Sequence, residues 1–318
     1  MIYVLKMKSG LAEFIFSDIK DAEIIFYPVI KKLPFCVRLM KALYYKVNDN
    51  FYMNFFPRET TQRLKKIREE DTLIVVCENI YTYWVVSKLC RKVRYKVAFF
   101  WNSESDFARQ KCTRSINREK DKAKAIVSYI RNLGFYMASF DKRDATLYKM
   151  FFYPQFYRFV SVEENIRYKY RFFFCGRDKG RKEIIDLYRK KLTPYGICRF
   201  VIMTDGKKID PIPYNEYVKC IKNTEVLCEI VQQNQTGLTV RAVEALFLNK
   251  KLITNNIEIK KYDFYNPNNV LILNPSTSTF EIEQFLRSPI VNIDCSVKSK
   301  YDVNTLVRKL DNYAKGQI

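Results

Sequence analysis

The chain has 318 residues, a formal net charge of +22, nine cysteines and no histidine, and 48% of its residues are hydrophobic. That hydrophobic content can fill the cores of two domains of ordinary size and argues against a disordered chain. The missing histidine excludes Ser-His and Cys-His catalytic relays, histidine-ligated zinc and histidine as a general base.

The charge predicts attraction to polyanions, whether nucleic acid, an anionic lipid surface or a phosphorylated substrate, and it does not choose among them. The odd number of cysteines, without CxxC spacing, favours a reducing compartment. The sequence contains neither a signal-peptide pattern nor a run of about 20 uncharged apolar residues, the length of a membrane span, so we expect a cytoplasmic protein.

Strands and helices alternate along the first half of the chain, which implies right-handed βαβ units and a mainly parallel sheet. Strands are predicted at residues 2–7, 12–16, 23–27, 71–79, 95–101 and 135–140, and helices at 31–48, 60–70, 81–91, 114–133 and 144–151.

Polar and aromatic side chains that follow these strands are expected to line a cleft above the sheet. They are Asn79, Trp101, Asn102, Ser103 and residues 139–144. The alternative for Trp101 is a core residue that caps the sheet.

Residues 88–124 form a basic run, in which basic residues outnumber acidic ones by about three to one. One interpretation is a solvated face of the domain. The other is a peripheral contact with anionic lipid head groups, such as the cytoplasmic face of an inner membrane.

An aromatic stretch at residues 151–170 interrupts the alternation and predicts a domain boundary. We expect a first domain at residues 1–155, a linker at 156–168, a second domain at 169–298 and a closing helical segment at 299–318 that crosses back to the first domain. In the second half, strands are predicted at 170–176, 198–203, 225–231 and 251–254, and helices at 182–192, 214–223, 238–247, 279–286 and 303–313.

Two loops of the second domain have the composition of a phosphate site. One runs from Gly176 to Arg181 and combines two glycines with three cations after a buried strand, and the other is the polar loop from Gln232 to Gly237. At such places backbone N–H groups and the positive end of a helix dipole converge. The alternative for the first loop is a solvated basic turn.

The helix after the second loop carries Gly237, Arg241 and Glu244 at positions i, i+4 and i+7, so these residues share one face. Glycine permits close approach of a ligand, arginine can grip a phosphate with its forked donors, and glutamate can accept two ribose hydroxyls. The alternative is an ordinary exposed ion pair between Arg241 and Glu244.

The pattern Gly-x-x-x-Arg-x-x-Glu-Ala-Leu at residues 237–246, followed by Lys-Leu-Ile-Thr at 251–254, resembles the donor-nucleotide motif of GT-B glycosyltransferases that build bacterial lipopolysaccharide and capsular polysaccharide. The Gly-x-Asp-Lys-Gly-Arg loop at 176–181 is similar to a loop in their donor domain, and the phrases FFWNSESDF and SFDKRDATLY are similar to pieces of their acceptor domain. Many retaining members have a second glutamate eight residues before Glu244, where this chain has Thr236.

The resemblance implies an α/β fold with two Rossmann-like domains, whose mainly parallel sheets face each other across a cleft. It implies a hexosyltransferase-type enzyme that transfers a sugar from a nucleotide-sugar donor to a hydroxyl of a lipid-linked or oligosaccharide acceptor. The residues expected to bind the donor are Gly176, Arg177, Lys179, Gly180, Arg181, Gln235, Thr236, Gly237, Leu238, Thr239, Arg241 and Glu244, and those expected to bind the acceptor are Asn79, Trp101 and Asn102.

If the reaction inverts, the base must be a carboxylate because histidine is missing, and the candidates are Asp141, Glu78 and Asp144, with Glu104 and Asp106 nearby. Asp141 is preferred, and the alternative for Asp144 is a helix N-cap. The chain has no Asp-x-Asp triplet, so we expect no metal and no cofactor, with cations and helix amino ends neutralising the leaving diphosphate.

Two other classes of function remain open. The charge and the aromatic content are compatible with a nucleic-acid-binding protein, but no recognised module is present, and basic and aromatic residues are not interleaved as single-strand binders require. The same sheet could also serve a non-catalytic nucleotide-binding adaptor.

Overall fold

A computed structural model describes residues 1–28, 56–76, 79–102, 121–162, 167–203, 212–232 and 237–318. The chain forms two compact units, one of residues 1–153 and 306–318 (unit 1) and one of residues 154–305 (unit 2). Several expected features lie outside the described residues: the 31–48 helix, Glu78, Ser103, Glu104, Asp106, Gln235 and Thr236. Within the described ranges, no helix has the length and apolar content needed to cross a bilayer.

Unit 1 is built on a six-stranded sheet in the order β2-β1-β3-β4-β5-β6, in which every strand pair is parallel. The strands are β1 (Ile2–Met7), β2 (Glu23–Tyr27), β3 (Thr72–Val76), β4 (Tyr95–Phe100), β5 (Tyr136–Ser139) and β6 (Phe151–Phe152). The helices of this unit between residues 1 and 153, within the described ranges, are α1 (Gly10–Phe16), α2 (Arg58–Lys65), α3 (Ile80–Leu89), α4 (Lys122–Asn132) and α5 (Lys142–Leu147).

Unit 2 is built on a five-stranded parallel sheet in the order β11-β10-β9-β7-β8. The strands are β7 (Tyr170–Arg177), β8 (Cys198–Met203), β9 (Thr224–Glu229), β10 (Lys251–Thr254) and β11 (Val270–Ile272). The α-helices are α6 (Lys182–Leu192), α7 (Tyr214–Lys222), α8 (Val240–Phe247), α9 (Thr279–Arg287) and α10 (Cys295–Ser299), and short 3₁₀ turns lie at Thr193–Tyr195 and Ile257–Lys261.

The central strands of both sheets are buried on both faces, as apolar strands of parallel sheets usually are. Every residue of β3 is buried, and so are Phe172, Phe173 and Phe174 of β7. In unit 2, Ile185, Tyr188 and Leu192 of α6, spaced along one helix face, pack in the same core as Phe172 and Phe174. This core holds the carboxyl ends of β7 and β9 in place.

The last helix, α11 (Val303–Ala314), begins in unit 2, and from residue 306 onward it belongs to unit 1. Its Asp311 carboxylate accepts a hydrogen bond from the Thr72 hydroxyl at 2.5 Å, and Arg308 pairs with Asp21 at 2.8 Å. The Tyr313 ring stacks on Phe151, with 4.7 Å between ring centroids. The carboxyl-terminal segment therefore completes the first unit.

The prediction of an α/β chain with two parallel sheets is confirmed. The predicted bounds of α6, β8 and β10 agree with the structure. The strand predicted at residues 12–16 is wrong, because Gly10–Phe16 is a helix. The helix predicted at 144–151 is also wrong in its bounds, since α5 spans Lys142–Leu147 and Phe151 belongs to a strand.

Candidate functional site

The candidate site lies in unit 2, where the strand order changes direction. From β7 the chain passes to β8 on one side, and then to β9 on the other side of β7. The loops after β7 and β9 therefore leave neighbouring carboxyl ends in opposite directions, which is where open parallel sheets bind ligands. These are the two loops whose composition predicts a phosphate site.

The loop after β7 makes a tight turn. Lys179 and Gly180 have φ angles of 47° and 77°, in the left-handed region that favours glycine. The N–H of Arg181 donates to the Asp178 carbonyl at 2.9 Å and closes the turn. A Cβ on Gly180 would meet nothing within 4 Å, so the backbone angle, not lack of space, favours glycine here.

Arg181 ties this turn to the loop after β9. Its guanidinium donates to the carbonyl oxygens of Asp178, at 3.0 Å, and of Arg177 and Ile230. Partial burial and the nearby charge of Arg241 both lower the pKa of Arg181 from its usual value. Two guanidinium groups are thus close enough to repel each other.

Arg241, in the first turn of α8, reaches back to β7. Its Nη2 donates to the Cys175 carbonyl, and its guanidinium lies over the Phe174 ring at 5.3 Å from the centroid. Its Nε is buried and has no hydrogen-bond partner among the described residues. At the neighbouring Gly176, a Cβ would lie 3.2 Å from the Phe174 ring, so the missing side chain leaves room for this aromatic support.

Neither Arg181 nor Arg241 forms an ion pair with a carboxylate within the part of the chain that the structure describes. Carbonyl oxygens carry only partial charge, so both guanidinium groups keep their net positive charge. Arg177 is exposed beside them, and Lys179 is partly exposed. The arrangement therefore suits an anion.

The first turn of α8 is fixed by a hydroxyl. Thr239 is the N-cap, and its Oγ1 accepts from the Arg241 N–H at 3.1 Å. The same hydroxyl donates to Glu229 at 2.5 Å, and Thr254 donates to the other oxygen of that carboxylate, also at 2.5 Å. The Thr239 hydroxyl, expected to bind the donor, is thus occupied as a cap.

The end of the second loop is held by asparagines. Asn255 bonds both backbone polar groups of Val231, accepting from its N–H at 2.7 Å and donating to its carbonyl at 3.2 Å. Asn256 donates to the Gly237 carbonyl at 3.5 Å. Gly237 and Leu238 are buried, so the Leu238 side chain is part of the core and only its backbone is placed for a polar ligand.

Glu244 lies one turn beyond Arg241, with only 1% of its surface exposed. One carboxylate oxygen accepts from Tyr214 at 3.1 Å, and the other accepts from Tyr217 at 2.7 Å. The Tyr157 hydroxyl lies 3.0 Å from that of Tyr214. Burial raises the pKa of Glu244, although the Tyr217 bond, the charge of Arg241 and the Tyr214 bond partly oppose this.

Glu244 is therefore not the exposed partner of an ordinary ion pair with Arg241. Each of its oxygens accepts from a tyrosine, and the side chain is almost fully buried, so in this arrangement Glu244 is not exposed to a ribose. The geometry of the site favours Arg181 and Arg241 as the ligand-binding groups.

In unit 1, Asp141 caps helix α5. Its Oδ1 accepts from the N–H groups of Arg143, at 2.9 Å, and Asp144, at 3.1 Å. The N-cap role considered for Asp144 therefore belongs to Asp141, and Asp144 lies in the first turn. Both carboxylates are 3% exposed.

The expected acceptor residues also lie at carboxyl strand ends in unit 1. Asn79 caps α3 and accepts from the Thr82 N–H at 3.0 Å. Trp101 is partly buried and meets the Phe16 ring edge-on, with 6.4 Å between centroids, and Asn102 is exposed. In the basic run, Lys96 is buried and donates to the Val93 carbonyl at 2.7 Å, so it does not belong to a charged surface.

Three residues that the structure places at this site, Glu229, Tyr214 and Tyr217, are not among those predicted from the sequence. A glutamate that ends an apolar strand, in the run Thr-Glu-Val-Leu-Cys-Glu, is a signal of a buried carboxylate with local donors. Two tyrosines at i and i+3 on α7 share one helix face and indicate a common partner. Neither pattern identifies that partner.

Among the residues that the structure describes, no three carboxylate or thiol side chains are grouped so that they could hold a metal ion. Comparisons with known proteins add no assignment: no protein-family model matches the chain, and no curated protein matches it.

Proposed function

We propose that the chain is a GT-B glycosyltransferase that uses a nucleotide-sugar donor and extends a bacterial surface glycan. The observation that carries the proposal is the pair of guanidinium groups at the strand-order reversal of unit 2. Arg181, in the turn after β7, bonds Ile230, the residue that follows β9, and Arg241 bonds Cys175 of β7, so Arg181 connects the two loops and Arg241 ties the start of α8 to β7.

A nucleoside diphosphate is the best chemical match to this arrangement. As the sugar leaves, negative charge develops on the diphosphate, and fixed cations lower the energy of that charge. Hydrogen bonds to backbone carbonyls hold the guanidinium groups of Arg181 and Arg241 in place before the ligand arrives. The buried Nε of Arg241 offers a donor that has no partner among the described residues. Arg177 and Lys179 add positive charge at the same edge.

The acceptor side of the proposal rests on unit 1. Asp141, the preferred base, caps α5 through one carboxylate oxygen. Asp144, Asn79, Trp101 and Asn102 remain the other proposed contacts, for a lipid-linked or oligosaccharide hydroxyl. Within this proposal Glu244 has a structural role beside the site, because both of its oxygens accept hydrogen bonds from tyrosine hydroxyls.

The first experiment is a thermal-shift screen of the full chain against nucleotide sugars and the corresponding free nucleotides. A ligand present at 100 times its Kd adds about 2.7 kcal/mol of stability. The Arg241→Gln and Arg181→Gln variants should each weaken binding of the best ligand by about 10- to 150-fold, the range for a hydrogen bond to a charged group. Arg189→Gln is the matched control, because Arg189 is exposed and pairs with Asp186 at 3.8 Å.

Equal binding by the wild type, Arg241→Gln and Arg189→Gln would remove the diphosphate site. Binding of a nucleotide sugar with neither transfer nor slow hydrolysis of the sugar would favour the nucleotide-binding adaptor instead. Because the proposal assigns the neutralising charge to arginines, transfer should persist in EDTA, and its loss on chelation would contradict that assignment.

A further inference from the structure

Glu229 is a buried carboxylate in an unusual place. It is the last residue of β9, the strand next to β7 at the strand-order reversal, and it is fully buried. No cation pairs with it among the described residues, and its hydrogen-bond donors there are Thr239, through both Oγ1 and N–H, and Thr254. A buried charge without a cation is retained only where hydrogen bonds satisfy it.

These bonds form a continuous chain that ends at Arg241. Thr254 of β10 donates to Glu229, Thr239 donates to the other oxygen of the same carboxylate, and the Arg241 N–H donates to Thr239 at 3.1 Å. The guanidinium of Arg241 is then bonded to the Cys175 carbonyl. The backbone of Arg241 and its side chain are thus fixed from two different strands.

We infer that Glu229 is a positioning residue for the anion site, acting through Thr239 to set the first turn of α8 and the direction of Arg241. The inference rests on the proposed function for the identity of the ligand. Charge alone gives the opposite expectation, since a carboxylate repels a diphosphate and its removal should tighten binding. The sign of the effect therefore separates positioning from simple electrostatics.

The test measures binding of inorganic pyrophosphate to the full chain by titration calorimetry. Thr239→Val keeps the volume and the Glu229 charge but removes the hydroxyl, and it should weaken binding by about tenfold, the scale of one or two lost hydrogen bonds. Thr239→Ser restores the hydroxyl and should return the affinity to within about twofold of the wild type. Glu229→Gln should weaken binding, although it removes a negative charge.

Tyr188→Phe is the matched control for a general loss of stability. Tyr188 is buried in the same unit, and its hydroxyl donates to the Leu273 carbonyl at 3.1 Å, so the change removes one buried hydrogen bond and leaves the chain from Glu229 to Arg241 intact. A positioning role predicts wild-type affinity for this variant. If Tyr188→Phe and Thr239→Val weaken pyrophosphate binding equally, the role of Glu229 is structural and not one of positioning.

The two proposals fail in different ways. The positioning role alone is wrong if the wild type binds pyrophosphate and Arg241→Gln does not, but Thr239→Val binds like the wild type. The same holds if Glu229→Gln binds pyrophosphate more tightly than the wild type. If pyrophosphate does not bind the wild type, or binds Arg241→Gln equally well, the phosphate site of the proposed function is wrong, and the positioning role fails with it.

Discussion

Removal of the Tyr217 hydroxyl should destabilise unit 2 by an amount that depends on pH. In the structure this hydroxyl donates to Glu244 at 2.7 Å, and the ring packs against Phe173 with 5.6 Å between centroids. Tyr217→Phe keeps the ring and leaves Tyr214 as the hydroxyl donor to Glu244 among the described residues. The buried carboxylate then carries its charge with one hydrogen bond fewer.

The expected cost follows from the charge state of Glu244. A hydrogen bond to a charged group contributes about 1.5–3 kcal/mol, and one between neutral groups contributes about 0.5–1.5 kcal/mol. Burial raises the folded pKa of Glu244 and the Tyr217 bond opposes this rise, so Tyr217→Phe should raise that pKa further. A group with a raised folded pKa contributes stability below its unfolded pKa and loses it as the pH rises through the folded value.

The loss caused by Tyr217→Phe should therefore be about 0.5–1.5 kcal/mol where Glu244 is protonated and about 1.5–3 kcal/mol where it is ionised. Urea unfolding followed by far-UV circular dichroism at pH 4.5 and pH 8 measures this difference. Trp84 and Trp101 belong to unit 1, so tryptophan fluorescence reports that unit separately. Tyr188→Phe, which loses a bond to a neutral carbonyl, should cost the same at both pH values.

A Tyr217→Phe cost that is equal at both pH values, or that shrinks as the pH rises, would contradict this prediction. Either result would mean that Glu244 does not gain charge in this interval, or that Tyr217 does not stabilise the charged form.

Two further predictions concern other parts of the chain. Deletion of residues 306–318 removes three apolar side chains that are at most 1% exposed, and their burial contributes about 5–9 kcal/mol. Tryptophan fluorescence should therefore show that unit 1 unfolds at a much lower urea concentration. Removal of the last two residues alone should have no such effect. Asp263→Asn should cost less than about 1 kcal/mol at pH 7, because the side chain is partly exposed. Burial raises the pKa of Asp263, but the hydrogen bonds from Lys300 and Tyr301 outweigh it and lower the pKa. The contribution of Asp263 to stability is therefore present above the usual aspartate pKa and lost as the pH falls through its folded-state pKa. A cost of Asp263→Asn that persists at pH 2 would contradict this.

The alternation of strands and helices in unit 2 is predictable from the sequence because each element has its own local pattern of apolar residues. Helix α6 has buried Ile185, Tyr188 and Leu192 on one face, and its predicted bounds were correct. The prediction of a strand at residues 12–16 is wrong, although its aromatic and β-branched residues favour a strand. The Ser9 hydroxyl accepts from the Ala12 N–H at 3.3 Å, and this cap starts a helix instead.

The candidate site was predictable in part, because helical spacing fixes which residues share a face but not which of them reaches the ligand loop. Arg241 is four residues after Gly237, and its long side chain extends back to Cys175. Gly237 itself precedes α8, which begins at Val240, and Glu244 lies one turn farther along this helix than Arg241. It meets Tyr214 and Tyr217 of α7 instead, and that partnership depends on tertiary packing between helices some thirty residues apart.

Overall charge does not explain why the arginines of unit 2 stand out. Many surface cations are neutralised by neighbours, as when Arg94 pairs with Glu69 at 2.5 Å. Lys251 is buried and donates to carbonyls at the end of α9, which is a structural use of a cation. Arg241 also bonds a carbonyl, but it lies at the carboxyl edge of the sheet beside a second guanidinium, and it keeps a buried Nε without a partner among the described residues. The repulsion between the two guanidinium groups opposes folding, although the nearby carboxylates of Glu244 and Glu229 offset part of it by favouring the charged form of Arg241. In the proposed function a bound diphosphate would offset this repulsion, and for this reason Arg241 is the residue on which the proposal is best tested.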